Sequence, residues 1–179
     1  MDNKERAKGV NKTSMSRRIA KFEKVSLNQF KRDCTLNQLY LGDVVYEDLK
    51  LPERATKGSA GYDFVSPCEF RLRAGNTIII PTGIRCEMNP DYALFIMPRS
   101  GLGFKYQIFL SNTIGLIDSD YYNSDNEGHI MIKLFNQGKT ELHIKKGEKF
   151  CQGVFLPYGI TIDDECGGER NGGFGSTGK

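Results

Sequence analysis

Six prolines, at positions 52, 67, 81, 90, 98 and 157, punctuate the middle of this chain. A proline inside a helix removes a backbone donor and collides with the preceding turn, so no long helix fits among them. The apolar stretches between are short and rich in β-branched residues: TIIIPTGI (77–84), YALFIM (92–97), IFLSNTIGLI (108–117), HIMIKLF (129–135), ELHI (141–144) and FCQGVFLP (150–157). Turn-forming strings separate them, as in NPD (89–91), NQGK (136–139) and KKGE (145–148). Many short strands between such turns predict an all-β sandwich or barrel. The one helical segment expected is a short turn over SLNQFKRD (26–33), where Ser26 can cap.

At 179 residues the chain suits a single domain, and a domain of that size buries roughly 70% of its unfolded surface. No apolar run approaches the ~18 residues that span a bilayer, and no secretory signal is expected behind the basic N-terminus. The five cysteines (34, 68, 86, 151 and 166) are odd in number and free of C-x-x-C spacing. That pattern predicts reduced thiols and a cytoplasmic location. With only His129 and His143 present, a zinc site of His and Cys is not expected. The formal net charge of +3 is uneven: residues 1–32 carry +7 and the remainder −4. We read residues 1–32 as a basic, partly disordered leader, 33–162 as the β-domain and 163–179 as a C-terminal arm. The acidic body argues against a large nucleic-acid face.

The arm, DDECGGERNGGFGSTGK (163–179), has no apolar pattern and is rich in glycine. Such a segment is expected to be mobile until a ligand orders it. Residues 173–179 spell G-x-x-x-x-G-K, the start of a phosphate-binding P-loop. A P-loop, however, joins a strand to a helix whose N-terminus holds the phosphate, and no α/β alternation surrounds this string.

Other strings point to phosphate by a different route. PRSGLG (98–103) follows a strand and groups Arg99, Ser100 and two glycines. Glycine lets backbone N–H groups approach an anion, and Arg99 offers a bidentate fork. NTIGLIDSDYY (112–122) ends an apolar strand in two acids and two tyrosines. An Asp held there can activate water, beside a ring able to support a sugar or base. GEKFCQG (147–153) is a turn feeding a strand, with Gln152 its polar side chain suited to a ligand.

Taken in order, ATKGSAGYDF (55–64), PRSGLG, NTIGLIDSDYY with EGH (127–129), GEKFCQG and RNGGFGSTG (170–178) resemble the five motifs of the trimeric, all-β dUTPases (deoxyuridine 5′-triphosphate nucleotidohydrolases). The resemblance covers residues 40–179. It implies a distorted jelly roll and hydrolysis of dUTP to dUMP and pyrophosphate. It also implies a homotrimer whose sites are shared between chains, and Mg²⁺ as cofactor. Asp118 is then the base that deprotonates the attacking water. Tyr121 packs under the deoxyribose, and Asn112, Leu116, Ile117, Ile130 and Met131 line the uracil in a hairpin that reads it through backbone groups. Arg99, Ser100 and Gly101 meet the phosphates, with Gln152 near the α-phosphate. From the arm, Arg170 reaches the γ-phosphate and Phe174 stacks on uracil, while Gly175, Ser176 and Thr177 close over the phosphates. Asp63 touches Mg²⁺ through water, the metal being held mainly by the triphosphate.

Three departures from the family pattern stand out. YYNSDNEGH (121–129) inserts about five residues between Tyr121 and Gly128, which predicts an extended turn at the tip of an intact base pocket. Only Asn171 separates Arg170 from Gly172, and Lys149 and Cys151 replace the usual residues of the fourth motif. The dCTP deaminases share this fold but need an acid in the strand after the hairpin; IMIKLFN (130–136) offers Lys133 and none. A nucleotide-dependent regulatory module is the remaining alternative.

Overall fold

In the computed structural model, residues 17–39, 46–168 and Gly172 are described. In chain order, β1 (Ala20–Lys24) and α1 (Leu27–Leu36) are followed by β2 (Glu53–Arg54), β3 (Tyr62–Val65), β4 (Phe70–Leu72), β5 (Thr77–Pro81), β6 (Ile84–Met88) and β7 (Tyr92–Pro98). A second helix, α2 (Ser100–Tyr106), leads into β8 (Ile108–Leu110), β9 (Gly115–Ile117), β10 (Met131–Asn136), β11 (Leu142–Ile144) and β12 (Lys149–Pro157). The strands pair antiparallel in the orders β2-β3-β12-β7-β9, β5-β10-β8, β11-β4 and β1-β6. This is the all-β architecture that the short strands predict, in the jelly-roll-like form that the resemblance implies.

Period-two alternation drives the packing. In β10, Ile132, Leu134 and Asn136 point inward while Lys133 points out. Ile132 and Leu134 join Phe64, Leu72, Ile80, Leu94, Ile96, Ile108 and Phe150 in one apolar core. Each such side chain contributes roughly 1.5–3 kcal/mol on burial. Gly153, in the central strand β12, faces this core where a Cβ would lie 2.8 Å from Leu94 Cδ1, so only glycine fits without displacement.

Two features differ from the sequence expectations. The segment assigned to a basic leader is folded from Ala20 onward: β1 pairs with β6 from Ala20↔Met88 to Lys24↔Ile84. Phe22 anchors it against the rings of Tyr62, Phe64 and Phe155. The charged residues flanking Phe22 dominate the composition and conceal the strand. The helix capped by Ser26, whose Oγ accepts from Gln29 N–H at 3.1 Å, runs to Leu36, three residues beyond the expected turn. Its inner face builds a second small core from Val25, Phe30, Cys34 and Leu49. The folded domain therefore begins before residue 33. The second difference is α2, which forms over a glycine-containing string where no helix was expected and ends on Gln107 in the left-handed region (φ 55°).

Cys34, Cys68, Cys86 and Cys151 are free and buried, and Cys166 is free and exposed. Burial pushes the Cys34 and Cys86 thiols up to about 12. No helix among the described residues is long and apolar enough to cross a membrane. Residues 163–168 of the arm are exposed and without regular structure. Arg170, Phe174, Gly175, Ser176 and Thr177 lie outside the described residues.

Candidate active site

Two separate clusters gather the sequence-predicted residues. The first is a cleft of about 760 Å³ bounded by Asn112, Leu116, Ile117, Tyr121, Ile130 and Met131, six residues expected to surround a base and sugar. The β-strands explain its shape. Thr113 adopts φ 68° and turns the chain after β8, sending β9 to pair with β7 at the edge of the five-stranded sheet. Strand β10 pairs instead with β5 and β8. Strands β9 and β10 thus belong to different sheets, and residues 118–130 bridge them in place of the two-stranded hairpin expected.

Backbone groups in this cleft are divided between structure and opening. Ile130 N–H donates to Ile84 O at 2.8 Å, and Ile130 O accepts from Thr82 N–H and Thr82 Oγ1. Ile130 therefore contributes its side chain and not a backbone edge. Lys133 O accepts from Ser111 N–H at 2.9 Å, on the β8 side of β10. Backbone groups two residues apart on a strand point the same way, so Met131 directs its N–H and C=O to that edge, beyond the end of β8 and into the cleft. Tyr121 is buried; its hydroxyl donates to His129 O at 2.8 Å and accepts from Asn126 Nδ2 at 2.7 Å.

The inserted residues loop outward. Gly128 adopts φ 68°, and a Cβ there would lie 2.6 Å from Tyr122 Cα and 2.7 Å from Tyr121 O. The chain leaves at Tyr122 and returns to touch it at Gly128, which restores in space the tyrosine–glycine proximity that the sequence interrupts. Asp118, half-buried, sits between β9 and the 3₁₀ turn Ser119–Asn123, and its carbonyl accepts from Tyr121 N–H at 3.2 Å.

The second cluster surrounds Asp63 on β3. Its Oδ1 lies 3.2 Å from Arg99 Nε and its Oδ2 2.7 Å from Lys149 Nζ. The carboxylate is buried while the two cations are half-exposed, so the group anchors them in place. Both of its oxygens are thus engaged by cations within this chain. Among the described residues, no group of three His, Cys, Asp or Glu side chains could hold a metal ion. Gln152 pairs with Asp63 across β12 and β3, and its Oε1 lies 2.7 Å from the place a Cβ would take at Gly61. Arg99 precedes α2, and Ser100 and Gly101 form its first turn. A Cβ at Gly101 or Gly103 would meet nothing within 4 Å, so the chain's own packing does not require those glycines.

The two clusters lie far apart in one chain. Register places Ile117 opposite Leu94, hence Asp118 beside Ala93, whereas Arg99 follows the other end of β7. Six residues at roughly 3.3 Å each separate them by about 20 Å.

Sequence reasoning missed one wall of the cleft. Asp33, Leu36 and Asn37, from the C-terminal end of α1, border it opposite β9. Asp33 accepts from Gln29 Nε2 at 2.8 Å and lies 2.5 Å from His129 Nδ1. Burial alone would raise its pKa, but the hydrogen bonds from His129 and Gln29 outweigh burial and hold it below the usual carboxylate range. The available signal was an acid on the apolar face of a helix, one turn after Gln29 and beside Phe30 and Cys34.

A jelly-roll-like β-domain with an Arg–Ser–Gly helix start and a base-sized cleft edged by an aspartate defines a class of nucleotide-handling β-proteins. A sequence model of the dUTPase family matches residues 47–178. The chain belongs to the dUTPase family. A deoxyuridine 5′-triphosphate nucleotidohydrolase of Lactococcus lactis subsp. lactis is 41% identical over 133 residues, covering 73% of this chain and 89% of the relative. The crystal structure of a dUTPase from Streptococcus mutans superposes with a TM-score of 0.60 at 32% identity, covering 80% of this chain and 98% of that one. A variant dUTPase from phage phi11 of S. aureus, whose structure reveals coordination of a structural Mg(II) ion, shares the fold at a TM-score of 0.61 and 18% identity, covering 84% and 98%.

Proposed function

We propose that this protein hydrolyses dUTP to dUMP and pyrophosphate by water attack on the α-phosphorus. The observation that carries the reading is the cleft: six residues placed around the nucleoside by family resemblance converge on it, with Asp118 at the end of the β9 that forms one side. Asp118 takes the proton of the attacking water, and Tyr121, braced through its hydroxyl, presents its ring to the deoxyribose. Uracil is read by the N–H and C=O of Met131. Cytosine reverses donor and acceptor at that edge, and a site with buried groups left unpaired rejects such an analogue by roughly 10⁴.

Arg99, Ser100, Gly101 and Gln152 bind the phosphates. Asp63 uses Nε of Arg99, which leaves the Nη edge to form a fork with phosphate oxygens. Mg²⁺ carried by the triphosphate supplies charge neutralisation, as phosphoryl attack requires. Arg170, Phe174, Gly175, Ser176 and Thr177 complete the enclosure from the arm.

The ~20 Å between Asp118 and Arg99 exceeds the hydrogen-bond reach within which both must act on one triphosphate. This separation supports a reading in which a second copy brings its Asp63 cluster to this cleft, in the homotrimer that the family resemblance implies. Phe104 is 93% exposed on α2, and Ile160 and Ile162 after β12 are exposed as well, which supplies apolar surface for neighbouring chains. The free cysteines suit a reducing, cytoplasmic compartment.

Incubation with dUTP, dCTP and dTTP, assayed for pyrophosphate and ammonia, tests the reading. Pyrophosphate from dUTP alone supports it; ammonia from dCTP overturns it. Asp118→Asn is expected to keep dUTP affinity within about tenfold while turnover falls by several orders of magnitude. Survival of turnover would remove Asp118 as the base. Light scattering reports the assembly: a monomer would refute the shared site, and a dimer would refute the homotrimer.

A further inference from the structure

The loop that carries Tyr121 and leads to Met131 is tied to the N-terminal segment at four points. Tyr122 Oη donates to Glu23 Oε2 at 2.6 Å, while the Arg85 guanidinium lies 4.1 Å from the Tyr122 ring centroid. Glu127 accepts from Ser26 twice, from its N–H at Oε2 and its hydroxyl at Oε1, both at 2.7 Å. His129 is fully buried and accepts Gly83 N–H at Nε2 (2.7 Å), so its proton sits on Nδ1 and is donated to Asp33. Asn37, one turn after Asp33, points its Nδ2 at the sulfur of Met131.

The partners come from two unusual parts of the chain. Glu23, Ser26, Asp33 and Asn37 precede the region matched to the family, residues 47–178. Tyr122 and Glu127 belong to the stretch inserted between Tyr121 and Gly128. Glu127 and Gly128 both adopt positive φ, 57° and 68°, a conformation a glutamate holds only when its surroundings enforce it. The grip of Glu127 on Ser26 enforces it, and the same hydrogen bonds, from Ser26 N–H first and its hydroxyl second, hold the Glu127 carboxyl below the usual range. Extension and insertion are therefore one clasp with two halves.

We propose that the N-terminal strand and helix are a positioning element of the deoxynucleoside cleft, fixing the loop from Tyr121 to Met131 through Glu23, Ser26 and Asp33. This rests on the dUTP reading above. None of the three residues acts on the phosphates, so loosening the clasp weakens ground-state and transition-state binding alike. Such a loss raises KM and leaves kcat unchanged.

The test uses the full chain. Glu127→Ala is expected to raise KM for dUTP about five- to twentyfold with kcat within about twofold. Adding Glu127→Ala to Ser26→Ala should raise KM by less than about a further twofold, because the two share one interaction. Asp33→Ala should act like Glu127→Ala, and Asp33→Asn should recover part of the affinity, since its amide oxygen still accepts the His129 proton. Should Asp33→Ala fail to fold, the peripheral Glu127→Ala still decides. A KM that stays at the wild-type value in Glu127→Ala overturns the proposal, whether or not the melting temperature falls. So does a loss confined to kcat. Wild-type protein inert toward dUTP would instead overturn the activity on which the proposal rests.

Discussion

Gly128→Ala is the sharpest perturbation of the cleft that a single methyl group can make. The new Cβ would lie 2.6 Å from Tyr122 Cα, 2.7 Å from Tyr121 O and 2.9 Å from Tyr122 O. All three are backbone atoms, so no rotamer change relieves the overlap. The positive φ adds roughly 1–2 kcal/mol for any L-residue, and overpacking of this kind typically adds 1–3 kcal/mol. Together they destabilise the native loop by about 2–5 kcal/mol. At 1.36 kcal/mol per tenfold, that corresponds to roughly 30-fold to several thousand-fold in kcat/KM if Tyr121 must hold its present position. Pyrophosphate release from dUTP measures the loss, with a thermal melt alongside. Gly75→Ala is the matched control: its φ is 77°, but a Cβ there meets nothing within 4 Å. It should lose about 1–2 kcal/mol of stability and keep its kcat/KM. Near-normal kcat/KM in Gly128→Ala, or an equal loss in Gly75→Ala, would refute the reasoning.

Asp63→Asn removes the charge that anchors Arg99 and Lys149; because both cations are half-exposed, a guanidinium titration should show a loss of only about 1–3 kcal/mol, with a raised KM for dUTP. Hydrogen bonds from Lys21, then Tyr122 and Arg85, hold the Glu23 carboxyl down to about 2 against an ordinary 4.5. A carboxyl depressed in the folded state stabilises above its unfolded pKa, and that contribution disappears as pH falls from about 4.5 toward about 2. Glu23→Gln should therefore flatten the acid limb of a melting-temperature profile in that window, and an unchanged limb would exclude Glu23 as its source. Ending the chain at Gly168 should leave folding and assembly intact by scattering while dUTP turnover becomes very slow, because the residues assigned to close over the phosphates are gone.

Proline spacing and period-two alternation made the β-architecture legible, since both act locally and leave few alternatives. What escaped was local signal hidden by context. In AKFEK (20–24), four of the five residues are charged or small, and only the ring of Phe22 meeting Tyr62, Phe64 and Phe155 makes a strand of it. In SGLGFKY (100–106), two glycines disfavour a helix by roughly 1 kcal/mol each relative to alanine, yet α2 forms between the end of β7 and the start of β8. Tertiary placement outweighs propensity in both.

The site divides along the same line. Residues of the third motif are close in sequence, and the turn at Thr113 and the return at Gly128 bring them to one cleft, so their grouping could be read from order alone. Asp33 lies 96 residues from His129, and only the packing of α1 brings them together. The insertion illustrates why such pairs matter. Lengthening a loop by five residues adds only a few tenths to about 1 kcal/mol of closure entropy, which a fold tolerates readily. Fixing those residues in one conformation is the larger demand, roughly 1–2 kcal/mol for each ordered residue. The loop's own contacts, such as Tyr121 with His129 and Asn126, meet part of it, and Ser26, bound to both carboxylate oxygens of Glu127, adds an anchor where the backbone is left-handed. In this chain the strand and helix that precede the matched region therefore share the work of holding the lengthened loop.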